Sequence, residues 1–331
     1  MGELEEVFPI DLSFGMGHQE GGVFCNGTWR SDLGPSRASM LVGLHVLGHY
    51  LQLGHPEALK LRKLAIHWTS TDVEYAPFFA IPDSLRRLQS VDELFIYSAA
   101  SDILPDWLGE LSALERVTLK IKRLSEFPAF LFCLPRLKTL DLSGAYGLES
   151  DKAFDSLPKR VSELQQLEVL KLDSMNLKRL PESFPELRAL ESLALDCDVI
   201  FPQGMERLQA LRRLKFYTDP RRPGRLEEVP NWVWRLANLE ELDLSEVRGF
   251  KSLDGIENLK KLRILWLQGT DFDTYEELLS RVPWVSEIRT ARARCFEDGR
   301  RGSSVGPPWR QPLDPRIVYE RDFADEMDRH F

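Results

Sequence analysis

The chain has 331 residues, 43% of them hydrophobic and 29% charged, with a formal net charge of −9. This is ordinary soluble composition with ample apolar material for a core. The acidic balance argues against a nucleic-acid binder, which needs a basic face to release counterions from phosphates, and against attachment to anionic lipid by bulk charge.

The opening MGELEEVFPIDLSF is acidic and lacks the continuous apolar stretch of a secretory signal. Glu6 stands where a myristoylation pattern needs Ser or Thr. No run of 18 apolar residues exists to span a bilayer. These features predict a cytoplasmic protein, or one of the host cytosol if it is a secreted effector, with no membrane partner. GMGHQEGG lacks the GK[ST] ending of a phosphate loop and reads as a turn, and Asn26-Gly27-Thr28 matches a glycosylation acceptor with no secretory signal to support it. Residues 36–53 read as an amphipathic helix with Leu41, Leu44, Gly48 and Leu51 at helical spacing, ended by Gly54 and Pro56. His45 and His49 lie four apart on it, but HVLGH lacks the Glu of a zincin motif, so no metal is expected there. The four cysteines, Cys25, Cys133, Cys197 and Cys295, are too scattered for a zinc site and read as reduced thiols.

From here one phrase recurs: LRKLAI, VDELFI, LERVTL, LKTLDL, LEVLKL, LESLAL, LRRLKF, LEELDL and LRILWL, with a weaker tenth copy, VSEIRT. The middle apolar residues are Leu64, Leu94, Val117, Leu140, Leu170, Leu193, Leu214, Leu242, Leu265 and Ile288, spaced 21 to 30 residues apart. Self-similarity at that period marks a repeat solenoid. The last two apolar residues of each phrase lie two apart, so in a strand they share the inward face. Successive copies then pair as short parallel strands. A proline stands 12 residues before the middle apolar residue in seven copies (Pro82, Pro105, Pro128, Pro158, Pro181, Pro202 and Pro230). Apolar residues follow each proline at every third position, as in Leu108, Leu111, Leu114 and Val117 after Pro105. That period suits a thin 3₁₀ or extended back better than an α-helix, and a thin back predicts a gentle arc.

With these phrases the chain resembles leucine-rich-repeat proteins built on the LPxxLxxLxxLxxLxL unit, a pattern shared by intracellular, plant immune and bacterial-effector proteins, over about Gln52 to Thr290. The resemblance implies an α/β solenoid with a curved parallel β-ribbon on its concave side, a thin back of 3₁₀ or short helix, and a cap at each end. One departure stands out. The family's asparagine, which bonds the backbone of the neighbouring coil, is replaced by Thr69, Ala99, Lys122, Ala145, Met175, Asp198, Asp219, Val247 and Thr270. Buried backbone groups still need partners. Either water and local turns supply them, or the register slips by one, as Asn176 suggests.

Three units follow: an N-terminal cap over 1–58, the solenoid of about ten repeats over 59–291, and a loop with a short helix over 292–331. The final helix, expected within 316–331, carries Tyr319, Phe323 and Met327 on one stripe. Extra residues always fall between a strand and the next proline, in TSTDVEYAPFFA, AYGLESDKAFDSL and YTDPRRPGRLEEV, so all three insertions leave by one edge. Insertions gathered on one face mark binding, or record neutral loop growth.

No nucleophile–base set can be assembled, and each end is shorter than a typical catalytic domain, so no enzyme and no cofactor are expected. The outward ribbon face remains. Between and beside the paired apolar residues it carries His67, Trp68, Phe95, Tyr97, Lys120, Asp141, Lys171, Asp173, Asp196, Lys215, Tyr217, Asp243 and Trp266. Aromatic and charged residues together are interface composition, whereas cross-strand packing alone is the structural alternative. The expected function is a protein-interaction module, with another protein lying across the ribbon and the insertions. The alternative is an effector or enzyme active through its non-repeat ends.

Overall fold

The computed structural model describes residues 22–25, 28–31, 47–48, 51–54, 56–68, 81–98, 104–121, 124, 126–143, 155–173, 175, 177–218, 226–250, 252–270, 275–291 and 317–320. Its strands form one open sheet whose spatial order is the chain order, β1 to β13. The ten repeat phrases are β3 (Lys63–Trp68), β4 (Glu93–Ser98), β5 (Arg116–Ile121), β6 (Thr139–Asp141), β7 (Val169–Lys171), β8 (Ser192–Asp196), β9 (Arg213–Tyr217), β10 (Glu241–Asp243), β11 (Ile264–Trp266) and β12 (Glu287–Ala291). All pair in parallel, and the ten middle apolar residues stand level from Leu64 to Ile288. Period two puts them inward, where each is at most 1% exposed.

The back is thin, as the three-residue period predicts. Eight 3₁₀ turns run from Asp83–Arg87 to Ile256–Asn258. Pro82, Pro105, Pro128 and Pro158 precede the first four in extended conformation. Each carbonyl accepts an N–H from three residues on, for example Leu108 N to Pro105 O at 3.1 Å. Proline suits the site because its φ is already fixed and no donor is needed there. Each turn then sends an apolar residue inward at every third position, so Leu85, Leu88, Val91 and Leu94 are all fully buried. At Gly255, φ is +102°, and a Cβ there would stand 2.6 Å from Cδ1 of Trp234. Glycine is therefore required before the last 3₁₀ turn.

Among the described residues, local turns stand in for the missing asparagine after β6, β10 and β11. The register does not slip: Leu170 lies level with Leu140 and Leu193. After β6 and β10 the aspartate that ends the strand accepts the backbone N–H two residues on, Asp141 from Ser143 at 2.9 Å and Asp243 from Ser245 at 2.8 Å. Val247 and Thr270, at the asparagine position, donate their N–H groups to Leu244 and Leu267, and the Thr270 hydroxyl donates to the same Leu267 carbonyl at 2.8 Å. Asn176 lies outside the described residues.

At each end the sheet carries strands that the sequence analysis did not name. At the N-terminal side a hairpin of β1 (Gly22–Cys25) and β2 (Thr28–Ser31) extends the sheet, with β2 parallel to β3. Helix is present at 47–48 and 51–52 and stops at Gly54, whose N–H bonds the Leu51 carbonyl and whose φ is +69°. Leu41, Leu44, His45 and His49 lie outside the described residues. At the other side the segment expected to open a helix is instead β13 (Ile317–Glu320), paired in parallel with β12. Ile317, Val318 and Tyr319 favour a strand, and the unpaired edge of β12 supplies its hydrogen-bond partners. Phe323 and Met327 lie outside the described residues.

Candidate partner-binding face

Alternation along β3 to β12 gives the outward face three columns of side chains. Two contain all the residues singled out by sequence except Trp68, which stands one position past His67 at the end of β3. The third, one position before the inward pair, runs from Lys63 through Glu93, Arg116, Thr139, Val169, Ser192, Arg213, Glu241 and Ile264 to Glu287, and the sequence reading missed it. The signal was available: the period-two pattern extends one residue upstream, as the alternating burial of Arg116–Ile121 shows.

On β3, His67 and Trp68 lie opposite Tyr97 and Ser98 of β4. Phe95 and Tyr97 are half-buried, so each ring keeps part of its surface open while packing against neighbours. Lys120 of β5 reaches across to β6, where its ammonium lies 3.1 Å from Asp141 Oδ1 and donates to the Ser143 hydroxyl. Lys171 follows at the end of β7 and Asp173 two residues beyond it, both half-buried. Lys215 and Tyr217 project from β9, and the Lys215 ammonium lies 3.4 Å from Asp243 on β10. In the third column Lys63 and Arg116 flank Glu93 at 2.9 and 3.3 Å.

Four predicted contact residues sit below the surface. Asp141 and Asp196 are 8% exposed, Trp266 4% and Asp243 1%. Asp141 and Asp243 are held there by the lysines and by the turn N–H groups they accept. The Trp266 ring is covered by Arg289, whose guanidinium carbon lies 4.1 Å from the ring centroid and whose Nε donates to Glu287. The surface available to a partner therefore centres on Phe95, Tyr97, Lys171, Asp173 and Tyr217, with Lys120 and Lys215 between them.

The Asp173 carboxyl is raised above the usual carboxylate range, first by loss of hydration and then by the Asp141 carboxylate, while Lys120 and Lys215 oppose the shift. The middle of the face is thus a compact set of acids and lysines spanning β5 to β10. Among the described residues no three His, Cys, Asp or Glu side chains are grouped to hold a metal ion. Of the three insertions that were to share in binding, the first lies wholly outside the described residues, most of the second does (145–154) and about half of the third does (219–225).

Comparison with known proteins agrees with this architecture. A family described as leucine-rich repeat region matches residues 146–223. Volume-regulated anion channel subunit LRRC8A of Homo sapiens is 27% identical over 200 residues, which cover 58% of this chain and 23% of that protein. Subunit LRRC8B of Homo sapiens is 32% identical over 141 residues, 40% of this chain and 16% of that protein. The chain spans about a quarter or less of these relatives. The crystal structure of a TLR13–ssRNA13 complex superposes with a TM-score of 0.51 at 20% identity, covering 78% of this chain and 34% of that one, a likeness of fold. The channel relatives overturn the cytoplasmic placement expected from the sequence, because channel subunits are membrane proteins. Among the described residues no helix is long and apolar enough to cross a membrane, but that expectation had treated a lack of apolar spans as evidence of location.

Proposed function

Because the chain is a leucine-rich-repeat solenoid, we propose that it works as a protein-binding module whose partner lies across the outward face of the ribbon. The observation that carries this reading is the half-buried set Phe95, Tyr97 and Tyr217 on a face that also carries several ion pairs. Rings that keep open surface on a rigid parallel ribbon supply contact area at little entropic cost, and aromatic residues of this kind dominate binding energy at interfaces. The neighbouring ion pairs favour a complementary partner over others more than they add affinity. The curated relatives are named as subunits, which supports the same reading, since a subunit acts through contacts with other chains.

The test is affinity capture with the full chain as bait, compared with Tyr97→Ala, Tyr217→Ala and with Arg207→Ala on the back. Proteins held by the wild type and by Arg207→Ala, but lost by the double variant at unchanged circular dichroism, support the ribbon as the site. Capture that survives the double variant and fails when residues 292–331 are removed assigns binding to the tail instead.

A further inference from the structure

We infer that strand β8 forms the floor of a subsite for a carboxylate on an extended acidic segment of a protein partner, gripped by Lys171 from one side and Arg213 from the other. This rests on the ribbon being the binding face.

The first support is the charge inventory of that face. Among the described residues every other lysine or arginine in the outward columns is paired with a carboxylate: Lys63 and Arg116 with Glu93, Lys120 with Asp141, Lys215 with Asp243, and Arg289 with Glu287. Lys171 and Arg213 form no ion pair there.

The second support is position. Lys171 stands level with Ala194 on β7, and Arg213 stands level with Ser192 on β9. Ser192 and Ala194 are the smallest outward pair on the ribbon, and both are 2% exposed. The two flanking backbones are about 10 Å apart, twice the strand spacing, which leaves room for one carboxylate between an ammonium and a guanidinium.

The third support is the opposite charge at the far end of the same strands. Asp173 lies two residues beyond Lys171, past the end of β7, and Asp196 two residues beyond Ala194 on β8, about 7 Å further along at the usual rise per residue and about 13 Å from the level of Ser192 and Arg213. A single carboxylate fits between the cations without meeting these acids. A run of phosphates would continue into them, which favours an acidic peptide over nucleic acid.

A phage-displayed random dodecapeptide library, panned on the full chain at physiological salt, tests the assignment. Asp and Glu should be enriched among retained peptides. A retained acidic peptide should bind Lys171→Ala, Arg213→Ala at least tenfold more weakly, and its own Asp→Asn copy should lose as much on the wild type. Circular dichroism checks the variant, and Lys171→Glu alone, at a half-exposed position, provides a second reading with the same direction. Peptides that need Tyr97 and Tyr217 but show no acidic enrichment, or enrichment in Lys and Arg, overturn the subsite while leaving the ribbon as binding face. Peptides indifferent to both pairs of substitutions, or no retained peptides, overturn both. An oligouridylate that binds in a Lys171- and Arg213-dependent way, where acidic peptides do not, reassigns the cations to phosphate and overturns the carboxylate.

Discussion

The ten repeat strands present nearly one side chain inward and seven different residue types outward. The inward middle position is Leu in eight strands, Val117 in β5 and Ile288 in β12, none more than 1% exposed. The outward positions level with them range from Ala65 and Ala194 to Trp266 and Arg289. Level stacking explains the difference. An inward side chain is packed by the layers before and after it and by its own 3₁₀ turn, so its volume is fixed from three sides. An outward side chain has only lateral neighbours and is free to vary. The contrast teaches where selection for fold ends and selection for contact begins, a boundary that lies within each strand.

Four perturbations break or sharpen the contrast. The largest effect is expected from Leu193→Ala in β8, which should cost about 4 kcal/mol in chemical denaturation because neighbouring layers cannot collapse into the cavity. A loss below about 1 kcal/mol would mean that the inward column is not the core.

Asp243→Ala tests whether an outward residue can carry comparable weight. It removes the carboxylate beside Lys215, whose side chain is only 13% exposed, and the acceptor for the Ser245 N–H. A loss of about 3 kcal/mol is expected for breaking a buried pair. Full stability in this variant would confine structural duty to the inward side.

Asp173→Asn goes the other way. A carboxyl whose folded-state pKa is raised binds more protons folded than unfolded as pH rises from the ordinary carboxylate range to the raised value, so stability falls through that interval. The substitution should therefore raise the melting temperature at neutral pH, with the gain shrinking as pH drops into the ordinary carboxylate range. A gain independent of pH would place its cause elsewhere. The smallest effect belongs to the back: Glu186→Ala breaks exposed pairs with Arg188 and Arg207 and should change stability by no more than about 0.5 kcal/mol.

Much of the fold was legible because its periods are strict. Period two located every repeat strand, period three and the prolines announced the 3₁₀ back, and Leu64 to Ile288 were identified in register. The asparagine replacement was legible only as a question, since the carboxylates of Asp141 and Asp243 that accept turn N–H groups look in sequence like any outward acid. The C-terminal end was misread for a related reason. The stripe of Tyr319, Phe323 and Met327 fits a helix, and nothing local reveals that the edge of β12 is waiting for a strand. Within the candidate site the sequence identified outward residues but not their depth. Trp266 reads as an anchor until Arg289, 23 residues later, is seen lying over its ring.

The strict chain-order stacking of the sheet has a mechanical consequence. Hydrogen bonds between coils run along the solenoid axis, so tension applied at its two ends loads the strand interfaces in series rather than in shear. Each interface then bears the whole force by itself, and the shortest yields first. The six-residue strands β3, β4 and β5 form the stiff end, whereas three-residue β6, β7, β10 and β11 are the compliant links. Pulled from its ends, the molecule opens coil by coil through its middle and C-terminal half, at low force, while the Phe95–Tyr97 strand stays seated between its neighbours.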